Sequence, residues 1–263
     1  MPQTSRDHGW NYGVFIANEI YRGQDILKMT LQNLATVITD RELLLKRLTS
    51  EEFNFDFGLC TGSELDEHTN VKDIGELVET FVENLRDEVN SKKGIGGDID
   101  TLIVYFLGHG ISLFGIDCLL GVDGFPYPVV LILQIVQSSR IAKKIVMVLD
   151  CCRNTVQLDQ FREDQQARIK TALEEARKKT AFDKVVRIYS AQEGDTATDL
   201  KGATFAASLD KVLEGNPGGI RGKDLQNCLN SQWKKLQKEH SGMRGRVNYF
   251  CEVKYNNSEF NFP

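Results

Sequence analysis

The sequence has 263 residues, of which 41% are hydrophobic, and its 32 Lys and Arg against 37 Asp and Glu give a formal net charge of -5. This composition supports one large or two small folded domains and excludes a mainly disordered or low-complexity chain. The mild acid excess is not the charge pattern of a protein that binds nucleic acid or an anionic membrane surface. Since no apolar run is long enough to cross a membrane and residues 1–10 lack the apolar core of a secretory signal, we expect a cytoplasmic protein.

Short apolar runs alternate along the chain with segments of helical period. The predicted strands, in chain order, are 12–17, 55–60, 102–107, 119–122, 145–149, 185–189 and 249–253. The predicted helices are 39–50, 71–89, 129–136, 204–213 and 223–236. Thr39 with Glu42 three residues later is a capping-box pattern, which predicts that the first helix begins there. The stretch 157–180 is long, highly charged and free of Gly and Pro, which is typical of a helix or a mobile segment.

This alternation predicts an α/β fold with a mostly parallel central sheet and helices on both faces. No internal repeat and no Pro-rich linker interrupts the chain, so we expect a single domain over 1–263. The charged stretch lies inside the alternation and is interpreted as an insertion within that domain. In sheets of this kind the reactive groups lie at the carboxyl ends of the strands.

Two predicted buried strands end on residues that are capable of catalysis. The run 102–107 is followed by GHG, which contains His109, and the run 145–149 is followed by DCCR, which contains Cys151 and Cys152. If the two strands are neighbours, the histidine and a cysteine come together at one edge of the sheet. An imidazole can accept the proton of a thiol and later protonate a leaving amine, which is the minimum for acyl transfer. A lone His or a buried Cys is more often structural, but their joint occurrence at two strand ends favours catalysis.

The remaining histidines and cysteines do not form a metal or disulfide pattern. The six cysteines include no CxxC pair, the four histidines are scattered, and the chain is too long for a small disulfide scaffold. No acid cluster has the spacing of a calcium-binding EF-hand loop. We therefore expect no cofactor and no metal site.

The two motifs, YFLGHGISLFG and IVMVLDCCRN, resemble the His and Cys signatures of the caspase-like cysteine peptidases, most closely those of the paracaspases. Paracaspases carry a similar Gly-His-Gly with a nearby Phe-Gly, here Phe114 and Gly115, and an Asp-x-Cys-Arg motif. Caspases have Gln where this chain has Asp150 and Gly where it has Asn154, and metacaspases have His-Ser-Gly after the nucleophile. The segments GVFIANEIYRG and YSAQEGDTATD resemble the first strand and the start of the small-subunit half of that fold.

The resemblance implies a caspase-like three-layer sandwich that occupies nearly the whole chain. It implies a large-subunit-like part at about 8–155, a charged connecting segment at about 156–184 and a small-subunit-like part at about 185–263. The connecting segment contains Arg177-Lys178-Lys179, after which self-cleavage is a hypothesis.

Within the motifs the resemblance implies that Cys152 is the nucleophile and His109 its base. Adjacent residues of an extended chain point to opposite sides, so Cys151 is expected to face away from His109 and to pack. The backbone N–H groups of Gly110 and Cys152 would then form an oxyanion hole.

The resemblance to paracaspases and metacaspases also implies cleavage after a basic residue, with Arg preferred over Lys, in protein or peptide substrates. It assigns three acids to the pocket for that residue, namely Asp40, Asp150 and Asp199, because a guanidinium offers five donors that need several carboxylate oxygens. The alternative for Asp40 is a carboxylate favoured by the helix dipole, and for Asp199 a surface carboxylate, with Asp195 as its competitor.

Other classes of function stay open at this point. A metacaspase-type peptidase would depend on calcium, and a catalytically weak caspase-like module would act as a scaffold. An unrelated α/β hydrolase or nucleotide-binding domain lacks support, since no G-x-S-x-G and no Gly-rich loop follows the first strand. We expect a monomer or a homodimer, because a last strand at the sheet edge either pairs with another copy or is covered.

Overall fold

A computed structural model describes residues 10–21, 26–28, 31–60, 74–92, 99–179, 182, 185–191, 204–239, 252–255 and 261–262. The strands, in chain order, are β1 (Trp10–Ala17), β2 (Phe55–Cys60), β3 (Ile99–Leu107), β4 (Gly110–Leu113), β5 (Ile116–Leu120), β6 (Pro126–Pro128), β7 (Ala142–Asp150), β8 (Asn154–Thr155), β9 (Val185–Tyr189), β10 (Ile220–Arg221), β11 (Glu252–Tyr255) and β12 (Asn261–Phe262). The helices are α1 (Val37–Leu48), α2 (Ile74–Lys92), α3 (Val129–Ser138), α4 (Glu163–Arg177), α5 (Phe205–Glu214) and α6 (Gly222–Glu239), with a short 3₁₀ helix at Leu158–Gln160.

The central sheet has the strand order β11-β9-β7-β3-β1-β2. Five of its strands run parallel, and β11 pairs antiparallel with β9 at one edge. The central strands are continuous apolar runs because helices cover both of their faces, so their side chains have no polar surroundings on either side. The mostly parallel sheet predicted from the alternation is confirmed.

Alternate residues of each central strand belong to two separate cores. In β3, Leu102, Val104 and Phe106 pack in the core under α2, α3 and α4. Their neighbours Ile103 and Tyr105 pack in the opposite core with α1, α5 and α6. This period of two is the geometry of a pleated strand. The result is the three-layer α/β sandwich of the caspase-like fold, as predicted.

A second, four-stranded sheet with the order β6-β5-β4-β8 was not predicted, apart from part of β5. Its hairpin β4–β5 turns at Phe114 and Gly115, whose φ angles of 51° and 76° lie in the left-handed region. A two-residue hairpin turn with positive φ at both positions matches the right-handed twist of the strands. Strands of two to five residues are too short to show a reliable period, so the sequence pattern did not predict this sheet.

Most predicted boundaries differ from the structure by a few residues, and three regions differ in a way that matters for the interpretation. The first helix begins at Val37 with Thr36 at the cap position, so Thr39 lies inside the helix and is not its cap. The charged stretch forms α4, which buries Ile169, Leu173 and Ala176 along one side. The last strand of the central sheet is β11, displaced towards the C-terminus from the predicted 249–253.

Candidate functional site

The pairing of β3 with β7 brings the two candidate catalytic loops together. Leu107 is opposite Asp150 in the parallel register, so both strands end at the same level. The Gly108 N–H donates to the Asp150 carbonyl oxygen at 3.2 Å, which continues the contact one residue past the strand end. His109 and Cys152 therefore leave the sheet from adjacent positions at its carboxyl edge.

The backbone and the ring of His109 are held by separate contacts. Its backbone N–H donates to the Tyr21 hydroxyl at 2.6 Å, and the two rings lie with their centroids 4.5 Å apart. Its Nε2 lies 2.7 Å from the Gln32 carbonyl oxygen. Because a carbonyl oxygen only accepts, this bond puts the hydrogen on Nε2 and leaves Nδ1 as the acceptor of the neutral ring.

The adjacent cysteines lie in different environments. Cys151 is buried in the core, whereas Cys152 is partly exposed. The pKa of the Cys151 thiol is raised well above its usual range. Burial is the largest cause, and the neighbouring Cys152 and Asp150 add to it. A neutral, buried thiol is a poor nucleophile, so of the two cysteines Cys152 is the more accessible to a reagent or substrate.

The two glycines that flank His109 are required by close packing. A Cβ on Gly108 would lie 2.5 Å from the Tyr21 hydroxyl oxygen. A Cβ on Gly110 would lie 2.5 Å from Cys151 Sγ and 2.6 Å from the Cys152 carbonyl oxygen. A side chain at position 108 would displace Tyr21, and one at position 110 would push the loop after β3 away from the loop after β7.

The hydrogen-bonding pattern of β4 also determines where the Gly110 N–H points. The Leu120 N–H donates to the His109 carbonyl oxygen at 2.9 Å, and Gly110 faces Leu119 in the antiparallel register. Since bonded and non-bonded pairs alternate in such a ladder, the Gly110 N–H is directed away from β5, towards β8. Cys152 lies on that side, because it leads into β8.

Two of the three predicted pocket acids lie close to one tyrosine hydroxyl. Asp150 is 6% exposed and accepts a hydrogen bond from the Tyr105 hydroxyl at 3.3 Å. Asp40 is 5% exposed and accepts one from the Thr204 hydroxyl at 2.9 Å. The pKa of Tyr105 is raised well above its usual range. Burial is the largest cause, and the carboxylates of Asp150 and Asp40 add to it. The third predicted acid, Asp199, and its competitor Asp195 lie outside the described residues.

Arg153, which follows the candidate nucleophile, makes a buried network that the sequence did not reveal. Its Nε and Nη2 donate to the two carboxylate oxygens of Asp117 on β5, each at 3.0 Å. Its guanidinium lies 4.1 Å from the centroid of the Tyr189 ring, and its Nη1 donates to the Ala191 carbonyl oxygen at 3.4 Å. One side chain thus joins the loop after β7 to β5 and to the end of β9.

The basic residues of the proposed self-cleavage segment lie at the end of α4. Arg177 is its last residue, and its guanidinium lies 5.7 Å from the centroid of the exposed Phe114 ring at the hairpin tip. A helical last turn is not the extended form in which peptidases bind their substrates. Self-cleavage after Arg177, Lys178 or Lys179 stays a prediction.

Two kinds of site are absent from the described parts of the chain, metal-ligand clusters and membrane-spanning helices. In those parts no group of three or more His, Cys, Asp or Glu side chains is placed to hold a metal ion. None of the helices found there is both long and apolar enough to cross a membrane.

Comparison with known proteins gives a family and a structural neighbour. The family model described as the caspase domain matches residues 11–255. The crystal structure of protein GSU0716 from Geobacter sulfurreducens superimposes with a TM-score of 0.58 at 11% sequence identity, over 94% of this chain and 93% of that one. At that identity the likeness shows the fold alone. No curated protein matches the chain.

The environments of the two cysteines predict different reactivity. In the folded protein at about pH 8, iodoacetamide is expected to modify Cys152 and to leave Cys151 intact, because the raised pKa keeps the Cys151 thiol protonated. Peptide mass spectrometry after a short reaction measures both sites, and the urea-unfolded protein, in which both react, is the control. Comparable labelling of Cys151 in the folded state would show that this assignment is wrong.

The Arg153 network predicts a large loss of stability on substitution. Arg153→Met is expected to lower the free energy of unfolding by about 3 kcal/mol, because it leaves Asp117 without its buried partner. Arg162→Met, which removes an exposed ion pair with Asp164, is the matched control and should change little. Urea unfolding followed by circular dichroism gives both values, and equal effects would contradict a structural role for Arg153.

Proposed function

This chain belongs to the caspase-domain family and is a cysteine-type peptidase, and from that premise we propose that His109 and Cys152 form its catalytic dyad and that it cleaves after basic residues. The observation that carries the proposal is the common origin of the two loops, set by Leu107 opposite Asp150 at the end of β3 and β7. Within the family the Asp-x-Cys-Arg motif is the basis for placing the chain nearest the paracaspases.

The proposed reaction starts with proton transfer from Cys152 Sγ to Nδ1 of His109. The Gln32 carbonyl oxygen, 2.7 Å from Nε2, favours the tautomer that accepts this proton and stabilises the imidazolium that forms. The thiolate attacks the substrate carbonyl carbon and forms a C–S bond. The negative oxygen of this intermediate would accept hydrogen bonds from the N–H groups of Gly110 and Cys152.

Collapse of the intermediate completes the acylation. The C–N bond breaks while His109 returns its proton to the leaving amine, and a thioester on Cys152 remains. Water then attacks the thioester with His109 as the base, which releases the acid product and restores the thiol. The Tyr21 contacts support this cycle because they hold the backbone of the base while its ring changes charge.

The preference for a basic residue is supported by the buried acids beside the nucleophile loop. Asp40 lies on α1 and Asp150 at the end of β7, and the charges of both carboxylates raise the pKa of the Tyr105 hydroxyl. A substrate guanidinium offers several N–H donors in a planar fork, which matches the oxygens of two neighbouring carboxylates. An acidic substrate residue would instead meet two like charges. We propose that Asp199 adds a third carboxylate to this pocket.

The dyad predicts opposite outcomes for the neighbouring cysteines. Cys152→Ala is expected to lower kcat/KM for a fluorogenic Arg peptide by at least about a thousandfold, because the nucleophile is removed. Cys151→Ala should retain activity within about tenfold and should mainly lower stability, because that side chain packs in the core. Activity that survives in Cys152→Ala, or is lost only in Cys151→Ala, would overturn the assignment.

The pocket predicts a charge-specific loss in Asp150→Asn. We expect kcat/KM for an Arg substrate to fall by about 10- to 100-fold, while that for a matched Gln substrate changes little, because a hydrogen bond between charged groups is lost. Asp100→Asn, at the opposite end of β3 and paired with Lys143 at the surface, is the control. Equal losses on both substrates, or equal cleavage after Asp, would contradict the basic preference.

A further inference from the structure

A groove of about 820 Å³ lies on the sheet face that carries α2, α3 and α4. Its lining includes neither His109 nor Cys152, nor the acids Asp40 and Asp150. This surface, called the α2–α4 groove below, is therefore separate from the proposed catalytic site and has no part in the mechanism described above.

The groove has charged walls and an apolar floor. Three carboxylates of α2 line one wall at three- and four-residue spacing, Glu76, Glu79 and Glu83, followed by Arg86. The α4 wall carries Glu175 and Arg168, and the Arg168 guanidinium lies 4.2 Å from the centroid of the Phe125 ring. The floor between the walls is mostly apolar, with Val82, Leu131, Ile132, Ile135 and Ala172, and it also includes Gln134 of α3.

The charge and the length of the groove restrict what fits it. Four carboxylates and two guanidinium groups line it, so its field favours a cationic ligand. From Glu76 to Arg86 the α2 wall runs about 15 Å, at about 1.5 Å per residue, which is the length of about three turns of a bound helix. A narrow apolar floor between polar walls is the surface on which amphipathic helices dock.

We propose that the α2–α4 groove binds an amphipathic helix of a partner protein, with its apolar face on the floor and Lys or Arg side chains against the acidic walls. A second copy of this chain offers a poorer match through the basic end of its α6. The exposed side chains of α6 at Lys234, Lys235 and Lys238 share their face with Asn227 and Ser231 and would leave the apolar floor uncovered.

The test uses the whole 263-residue chain with Cys152→Ala, so that a bound peptide is not cut. The probe is a fluorescent helical model peptide of Leu and Lys, compared with a counterpart that has Glu in place of each Lys. Fluorescence anisotropy is expected to show one-to-one binding of the Lys peptide that weakens with added salt, and much weaker binding of the Glu peptide. Equal binding of the two peptides would overturn the proposal.

Charge reversals locate the binding site. Glu83→Lys with Glu175→Lys changes one exposed carboxylate on each wall and is expected to weaken binding by about tenfold. The matched control, Asp87→Lys with Glu174→Lys, reverses exposed carboxylates on the same two helices outside the groove and should leave the affinity within about twofold. Equal losses in both pairs would mean that only the general negative charge attracts the peptide, and the groove would be rejected.

Two further outcomes would also overturn the proposal, and both are independent of the proposed peptidase chemistry. Binding that is lost in Asp150→Asn and unchanged by the groove reversals would place the peptide in the substrate pocket. Self-association in analytical ultracentrifugation that the groove reversals abolish would make a second copy the occupant. Activity on the Arg peptide, measured with Cys152 present, should be the same for both pairs of reversals, so a failure of the groove does not count against the dyad.

Discussion

The pairing of β3 with β7 is the constraint on which the rest of the structure depends. Leu107 and Asp150 are opposite one another, and the side chains of β3 alternate between two fully packed cores. A slip of one residue would move Tyr105 into the core that holds Phe106 and would expose each core to the wrong set of side chains. The relative position of the loops that carry His109 and Cys152 is therefore set by the packing of the whole sheet and not by the loops themselves.

Buried charge at the carboxyl edge of the sheet is the main cost of this arrangement. Asp40, Asp150 and Arg153 are each less than a tenth exposed, and burial of a charge is unfavourable without a partner. Arg153 has a two-pronged partner in Asp117, and Asp150 and Asp40 accept hydrogen bonds from the hydroxyl groups of Tyr105 and Thr204. These contacts offset part of the cost of burying the charges. In the proposed pocket the same two carboxylates would also bind the basic side chain of the substrate.

The sequence predicted the parts of the fold and site that depend on local pattern. Apolar runs located the central strands, and the residues after two of them supplied His109 and Cys152. It did not predict the Gln32 contact, because a backbone carbonyl carries no residue-specific signal. Nor did it predict the pairing of Arg153 with Asp117, because the two are 36 positions apart and their encounter depends on a hairpin too short to show a period.

The hairpin sheet connects the proposed catalytic site to the groove through ordered contacts. Tyr127 of β6, which lines the groove, is opposite Leu119 of β5, and two residues earlier Asp117 binds Arg153 beside the nucleophile. Each of these links is a strand pairing or an ion pair, so a continuous set of packed contacts joins the groove to the loop that carries Cys152. A partner held in the groove would consequently tether its own neighbouring segments to the domain that carries Cys152. Once the helix is docked, binding of a basic segment of the same partner at the proposed catalytic site becomes an intramolecular event. The effective concentration of that segment at the site is therefore raised.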